Sequence, residues 1–359
     1  MTDPVTEQPT AVPAPDPVPA SRHPAAIPPR SDRSARRTGL TRRGSVRYGP
    51  GFVSRWAILG VWAAMAGVYA AVEPHAFLQA GTVQTIFGSQ EALVFISLGL
   101  LATLIVNEFD LSFASMQGLA ATMVPVLAVE HGWNPVAASA VAILATVTAG
   151  AVNGFLVVKA GVDRIVVTLG MANVLLGLAL ALANLSTVSG LSPGFARLAN
   201  QEILGLPVSF YYGLAATLGF AYVLRFTPLG RHIAFVGANR EVARLAGVRV
   251  DRIRFGSYVV SGLFSGIGGV LLVASVGGYD PTSSVIYLPA GITAVFLGMA
   301  AVRPGQFNPI GMFIGVYLLA TGVLGLQLLG YTGWVEDVFY GAVLIVAVTV
   351  SALLRRRTT

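Results

Sequence analysis

Long apolar segments constrain the fold of this chain more than any other feature of its sequence. A helix needs about 20 apolar residues to cross the hydrocarbon core of a bilayer. Ten segments meet or approach that length, and they predict an all-α, polytopic membrane helical bundle. Two of them, 111–129 and 288–302, are short enough to be re-entrant or broken. The full set covers residues 56–72, 83–106, 111–129, 135–158, 165–185, 207–225, 255–276, 288–302, 309–329 and 334–354.

The composition excludes a soluble globular domain. Only 11% of the residues are charged, whereas soluble domains carry about 25%. The net charge of +7 would suit a nucleic-acid partner, but the basic residues lie in loops and tails between the apolar segments, so none is predicted. The absence of cysteine excludes disulfides and thiolate metal sites, and the four histidines lack metal-ligand spacing. We therefore expect no metal and no cofactor.

The basic residues predict the orientation of the chain in the membrane. Basic loops between membrane spans stay in the cytoplasm. With ten spans and both termini inside, Arg197 alone falls outside, so 22 of the 23 basic residues obey the rule. This arrangement predicts a multi-pass protein of the cytoplasmic, or inner, membrane, in contact with the lipid bilayer.

Three regions follow from this reading. Residues 1–55 form a basic tail that holds ten of the 20 prolines, and we expect it to be disordered and to lie beside anionic lipid on the cytoplasmic side. Residues 56–354 form the transmembrane domain, which contains one long cytoplasmic loop at 226–254. Residues 355–359 form a short basic cytoplasmic tail.

The cytoplasmic loop contains the start and stop signals of a short helix. Asn239 suits the N-cap, and Gly247 suits the left-handed residue that ends a helix. Glu241 in the first turn and Arg244 near the last turn match the helix dipole. The sequence therefore predicts a two-turn helix from Arg240 to residue 246.

The pattern of this helix also predicts its faces. Val242, Leu245 and Ala246 are expected to pack downwards, which would leave Arg240 and Arg244 exposed. Because the loop is long, capped and placed between two membrane-embedded halves, we interpret the helix as a docking element for a partner. The alternative is an ordinary solvated connector.

A faint internal repeat predicts that the two halves are related. The sequence Phe-Asp-Leu-Ser at 109–112 is similar to Tyr-Asp-Pro-Thr at 279–282, and each precedes a hydrophobic segment. The predicted topology places Asp110 inside and Asp280 outside, so the halves would be inverted. Inverted repeats with broken helices around a pathway at the bilayer midplane are a common plan of transporters.

Polar residues within the apolar segments are the candidates for a substrate pathway, because a charge at the bilayer centre is costly. The candidates are Glu91, Asp110, Asn153 and Asn173. Each has a structural alternative: Glu91 could bind another side chain, Asp110 could cap a helix together with Ser112, and the asparagines could link helices. The sequence shows no pair of nucleophile and base and no phosphate-binding loop, so we expect neither an enzyme nor ATP binding by the chain itself.

The order of several motifs resembles the permeases of ribose-type ABC importers over about residues 56–354. The motifs are Phe-Asp-Leu-Ser at 109–112, Asn-Gly at 153–154, Thr-Leu-Gly-Met at 168–171, the loop sequence at 237–248 and Ile-Thr-Ala-Val-Phe-Leu-Gly at 292–298. The chain departs from that family at Tyr287, Met299 and Leu324, and in the short turn at 303–308. These departures weaken any inference to one particular sugar.

The resemblance implies a permease whose loop helix sits in a cleft of a separate ATP-binding cassette ATPase subunit. The implied coupling residues are Asn239, Arg240, Glu241, Ala243, Arg244, Leu245 and Gly247. Other implied partners are an extracytoplasmic solute-binding protein and a second permease subunit, identical or not. The implied solute is a sugar or a similar polyhydroxylated compound. Alternatives are a branched-chain amino-acid or nucleoside ABC permease, an ion-coupled secondary transporter and a membrane scaffold.

Overall fold

The computed structural model of the protein describes residues 52–303 and 305–356. The predicted N-terminal tail lies outside the described residues except for 52–55, which open the first helix. Of the predicted C-terminal tail, residues 357–359 likewise lie outside. The described part of the chain is almost entirely helical.

The helices follow one another along the chain with short connections. They are α1 Phe52–Val72, α2 Pro74–Phe77, α3 Ala80–Gly88, α4 Glu91–Ile105, α5 Phe113–Pro125, α6 Pro135–Val158, α7 Arg164–Leu182, α8 Pro193–Asn200, α9 Val208–Phe226, α10 Pro228–Ala238, α11 Arg240–Leu245, α12 Val250–Val276, α13 Tyr287–Gly298, α14 Pro309–Leu328 and α15 Trp334–Arg356. A π-helical turn, Val126–Glu130, follows α5, and a 3₁₀ helix, Pro281–Ile286, precedes α13. Two-residue strands pair antiparallel as β1 (Val188–Ser189) with β4 (Gly278–Tyr279) and β2 (Glu202–Ile203) with β3 (Leu206–Pro207).

The predicted membrane bundle is confirmed. Each of the ten predicted segments coincides with a helix or a pair of helices, and seven helical stretches of the described residues are long and apolar enough to span a membrane. The stretch Ala80–Ile105 is broken near Ser89 and Gln90, which separate α3 from α4. Of the two segments predicted to be irregular, 111–129 carries the π-helical turn after Pro125, and 288–302 carries the short helix α13, which ends at Gly298 and is preceded by a 3₁₀ helix at Pro281–Ile286.

Helix α12 lies at the centre of the bundle and packs against α4, α5 and α6. Its contact with α6 is close because glycines face the neighbouring backbone. A Cβ at Gly262 would clash with the carbonyl oxygen of Thr146, and one at Gly150 of α6 would clash with the carbonyl oxygen of Tyr258. Small residues let helix backbones approach closely in a membrane, where dispersion replaces the hydrophobic effect as the packing force.

The two segments of the predicted repeat have the same local geometry. The backbone N–H and the hydroxyl of Ser112 donate to Oδ1 of Asp110 at 2.9 and 2.6 Å. Those of Thr282 donate to Oδ1 of Asp280 at 2.9 and 2.8 Å. The helices that follow also have matching neighbours, since α5 packs against α6 and α7 as α13 packs against α14 and α15. The inverted orientation of the two halves stays a prediction.

Substitution of Gly262 tests the close packing of α6 and α12. We expect Gly262→Ala to lower the stability by about 1–3 kcal/mol, because the added methyl group overpacks a contact with backbone. The same change at Gly256, on the same helix with open space around it, should be neutral or slightly stabilising. The measurement is the thermal unfolding midpoint of the detergent-solubilised protein. A Gly262→Ala protein that melts at or above the wild-type temperature would contradict the packing.

Candidate functional site

The loop at 226–254, predicted to be cytoplasmic, forms two consecutive helices, α10 and α11, where the sequence predicted one. The side chain of Thr227 caps α10 by accepting from the backbone N–H of Gly230 at 3.1 Å, and Pro228 occupies the first turn. A threonine followed by proline is a recognised start signal, so the sequence held the information for α10. Helix α10 approaches the end of α4 so closely that a Cβ at Gly237 would clash with the carbonyl oxygen of Ile105.

Helix α11 has both of its predicted end signals. The Asn239 side chain accepts from the backbone N–H groups of Glu241 and Val242 at 3.0 and 3.1 Å. Gly247 has a φ of +81°, and the Val248 N–H donates to the carbonyl oxygen of Ala243 at 3.0 Å. This bond is the long one of the Schellman motif, which closes a helix with a left-handed residue. The helix ends at Leu245.

The predicted faces of α11 are wrong except at Arg244, which is exposed as expected. Ala243 is fully buried, whereas Val242 is 49% and Leu245 88% exposed. Arg240, which was expected to be exposed, is only 32% exposed because it reaches a carboxylate in the bundle. The charge-assisted hydrogen bonds of Arg240 stabilise this orientation more than burial of Leu245 at the edge of the protein would. The helix therefore turns Arg240 and Ala243 inwards, and Val242 and Leu245 outwards.

The carboxylate that holds α11 belongs to Glu108, which lies between α4 and α5 and is 1% exposed. Its Oε1 contacts Nη2 of Arg240 at 2.7 Å and Nε of Arg254 at 2.5 Å. The hydroxyl of Tyr258 donates to Oε2 at 3.0 Å. We call these four residues the Glu108 cluster. A buried carboxylate is stable when paired and hydrogen-bonded on both oxygens, as this one is.

Arg240 also binds the end of α4. Its Nη2 donates to the carbonyl oxygens of Val106 and Asn107 at 3.0 and 2.7 Å, and Arg164 donates to Asn107 as well. Cations favour the carboxyl end of a helix, where unpaired carbonyl groups carry negative partial charge. Burial lowers the pKa of the Arg240 guanidinium, and the Glu108 carboxylate opposes this effect. An arginine stays charged in either case.

Two of the four candidate pathway residues meet at a second polar site. Asp110 is fully buried and accepts from the hydroxyl groups of Ser112 and Ser261, the latter at 2.8 Å. The Asn153 amide donates to the Ser112 hydroxyl at 2.8 Å. This Asp110 junction joins the start of α5 to α6 and α12. Its geometry fits the structural alternative for Asn153, an interhelical bond, whereas Asp110 bonds to Ser112 just before α5, which has no side-chain cap.

The other two candidates lie elsewhere. Glu91 is buried in the first turn of α4 and accepts from the hydroxyl of Ser275 at 2.5 Å, while its Oε2 has no partner among the described residues. Asn173 is exposed on α7 and donates to the carbonyl oxygen of Leu169 at 3.1 Å. No described residues form a group of three or more histidine or acidic side chains that could hold a metal.

Removal of the Glu108 charge tests the Glu108 cluster. We expect Glu108→Gln to destabilise the protein by about 3 kcal/mol, the lower end of the range for a broken buried ion pair. The lower end applies because Arg240 and Arg254 are both partly exposed to water. The matched control is Glu241→Gln, whose carboxylate is exposed and 4.0 Å from Arg244. It should change stability by less than about 0.5 kcal/mol. Thermal unfolding in detergent measures both, and equal midpoints would contradict the cluster's role.

A family model and two individual relatives both identify this chain as a transport permease. A sequence model of the family described as "Branched-chain amino acid transport system / permease component" matches residues 82–348. The autoinducer 2 import system permease protein LsrD of Yersinia enterocolitica is 30% identical over 259 residues, which cover 70% of this chain and 78% of the relative. The protein of the same name from Yersinia pestis strain Pestoides F is 29% identical over the same shares. No solved structure matches the chain.

These matches agree with the apolar bundle and with the motifs of the cytoplasmic loop. The relatives are permease components of import systems, and such components carry solute without changing it chemically. The protein is thus a multi-pass inner-membrane permease subunit of an ABC importer and not an enzyme, and its partners include an ATPase and a solute-binding protein. The chain belongs to the family of branched-chain amino acid transport system permease components.

Proposed function

We propose that this permease imports a sugar or a similar polyhydroxylated solute. Support comes from its buried polar groups, which are mostly hydroxyls and amides. Ser97, Gln117 and Ser265 are buried and have side-chain atoms without a partner among the described residues. An uncharged solute rich in hydroxyl groups would satisfy such atoms, whereas an amino acid would bring two charges that need partners of opposite sign. Similarity to permeases named for autoinducer 2 import agrees with a solute other than an amino acid.

Helix α11 is the proposed docking element for the ATPase subunit. Leu245 and Val242 present apolar surface to the cytoplasm, and Glu241 and Arg244 flank them with charges of both signs. An exposed apolar patch rimmed by charged groups is a common mark of a protein interaction site. Asn239, Gly247 and buried Ala243 fix the position of the helix, and Arg240 fastens it to the bundle.

The Glu108 cluster is the proposed mechanical link between the ATPase and the pathway. Glu108 stands between α4 and α5, so a force on α11 would reach both helices through Arg240. The Asp110 junction then joins α5 to α6 and α12. Alternating access would follow from coordinated movement of these helices in two permease chains, while a solute-binding protein delivers solute from outside. The solute crosses without covalent change.

The candidate pathway residues divide under this proposal. Asp110 and Asn153 bond to neighbouring helices and hold them together. Glu91 has one buried oxygen without a partner among the described residues and is the residue we assign to solute contact, since a hydroxyl donor would satisfy it. Asn173 faces outwards on α7, where contact with the second permease chain would cover its amide.

A branched-chain amino acid is the second candidate solute, because the family description names that class. The test is uptake of labelled solutes into proteoliposomes that contain the permease and its ATPase, with the solute-binding protein outside. We expect ATP-dependent uptake of a pentose, hexose or polyol and none of leucine or isoleucine. Uptake of an amino acid would contradict the proposed solute, and uptake without the ATPase would contradict an ATP-driven importer.

The charge substitution Leu245→Asp tests the docking role of α11. We expect it to reduce ATP-dependent uptake at least tenfold, because a carboxylate cannot replace a buried anchor, a loss of about 1.4 kcal/mol or more. Leu204→Asp is the matched control: Leu204 is 93% exposed in the turn between β2 and β3. It should transport at the wild-type rate. Normal uptake by Leu245→Asp protein of normal abundance would show that docking lies elsewhere.

A further inference from the structure

A pocket of about 350 Å³ lies beside α11, between α10 and the first turn of α12. Its apolar lining comes from Leu229, Val248 and Ile253, and its polar lining comes from His232, Arg249 and Arg252. Both arginines are exposed. The pocket also includes Ala246 and Gly247, so it continues directly from the exposed surface of Leu245.

The charges around this pocket are unbalanced. The loop contains two acidic residues, Glu241 and Asp251, and both pair with arginines outside the pocket: Glu241 with Arg244, and Asp251 with Arg244 and Arg254. Arg249 and Arg252 have no acidic partner among the described residues. The pocket therefore combines an apolar floor with two guanidinium groups that lack a counter-charge.

We propose that this pocket receives an acidic side chain of the ATPase subunit, together with an apolar residue next to it. The inference rests on the proposed docking of α11, because one partner seated on Leu245 would also cover the adjoining pocket. Arginine presents a planar fork of donors that binds a carboxylate through two parallel hydrogen bonds. Leu245 then supplies the apolar anchor, and the pocket supplies charge complementarity that steers the subunit into register.

Another anion could occupy the same pocket. Arginines beside a bilayer also attract anionic lipid headgroups. The continuity of the pocket with α11 favours the protein partner, because Ala246 and Gly247, which line the pocket, directly follow the exposed Leu245. The experiment must therefore separate the lipid from the ATPase.

The test measures binding of the importer's purified ATPase subunit to the full-length permease in nanodiscs of neutral phosphatidylcholine. We expect Arg249→Glu/Arg252→Glu to weaken binding about tenfold at low salt and to flatten its salt dependence. The affinity of Arg249→Gln/Arg252→Gln for the ATPase subunit should lie between that of this variant and that of the wild type. The control is Arg225→Glu, an exposed arginine in the last turn of α9 whose guanidinium lies 5.6 Å from the Phe226 ring, outside the pocket. It should bind like the wild type.

Leu245→Asp in the same assay distinguishes the pocket from the docking helix. If Leu245→Asp loses ATPase binding while both double variants of Arg249 and Arg252 bind normally, the pocket proposal is wrong and the docking proposal stands. If the double variants of Arg249 and Arg252 bind the ATPase subunit less tightly only in discs that contain anionic phosphatidylglycerol, the pocket is a lipid site and the proposal is overturned. If Leu245→Asp binds like the wild type, docking on α11 fails, and the pocket proposal fails with it.

Discussion

The buried carboxylate of Glu108 joins the cytoplasmic loop to the membrane-embedded bundle. It binds Arg240 of the loop, Arg254 at the start of α12 and Tyr258 one turn further along. An unpaired carboxylate at this depth would be costly, so the three partners hold one another in place through it. The contact fixes one end of α11, and with Arg240 on Glu108 the side chains of Leu245 and Val242 are exposed. A residue between α4 and α5 thereby helps to set which side chains of α11 are exposed.

The polar groups buried inside the bundle are nearly all uncharged. Hydroxyl and amide groups such as Ser97, Gln117 and Ser265 line the contacts of α4, α5 and α12, and Glu91 is the one acidic side chain buried within the spanning helices that the structure describes. Such an interior suits movement of helices past one another, because hydroxyls and amides exchange partners at lower cost than ion pairs do. It also suits an uncharged, hydroxyl-rich solute. The strongest ionic contacts lie instead at the cytoplasmic loop, where the ATPase would act.

The sequence predicted the fold well because its strongest signals are local. Apolar length located every long helix, and Asn239 and Gly247 located the ends of α11, since caps act within a few residues. The faces of α11 were mispredicted because they depend on Glu108, which is 132 residues from Arg240 along the chain. The pairing of Asp110 with Ser261 was likewise invisible, since they are 151 residues apart. Helix α10 differs, because Thr227 and Pro228 are a local start signal. The prediction nevertheless placed only one helix in the loop.

Helix α11 is proposed to meet the ATPase subunit through Leu245. The chain contains no cysteine, so a single cysteine at this position can carry a photoactivated cross-linker without other changes. The measurement is the cross-linked product of Leu245→Cys in the assembled importer, compared with Leu204→Cys at the turn between β2 and β3. The account predicts an adduct with the ATPase subunit from position 245 and none from position 204. An ATPase adduct from position 204, or none from position 245 in an importer that transports normally, would contradict it.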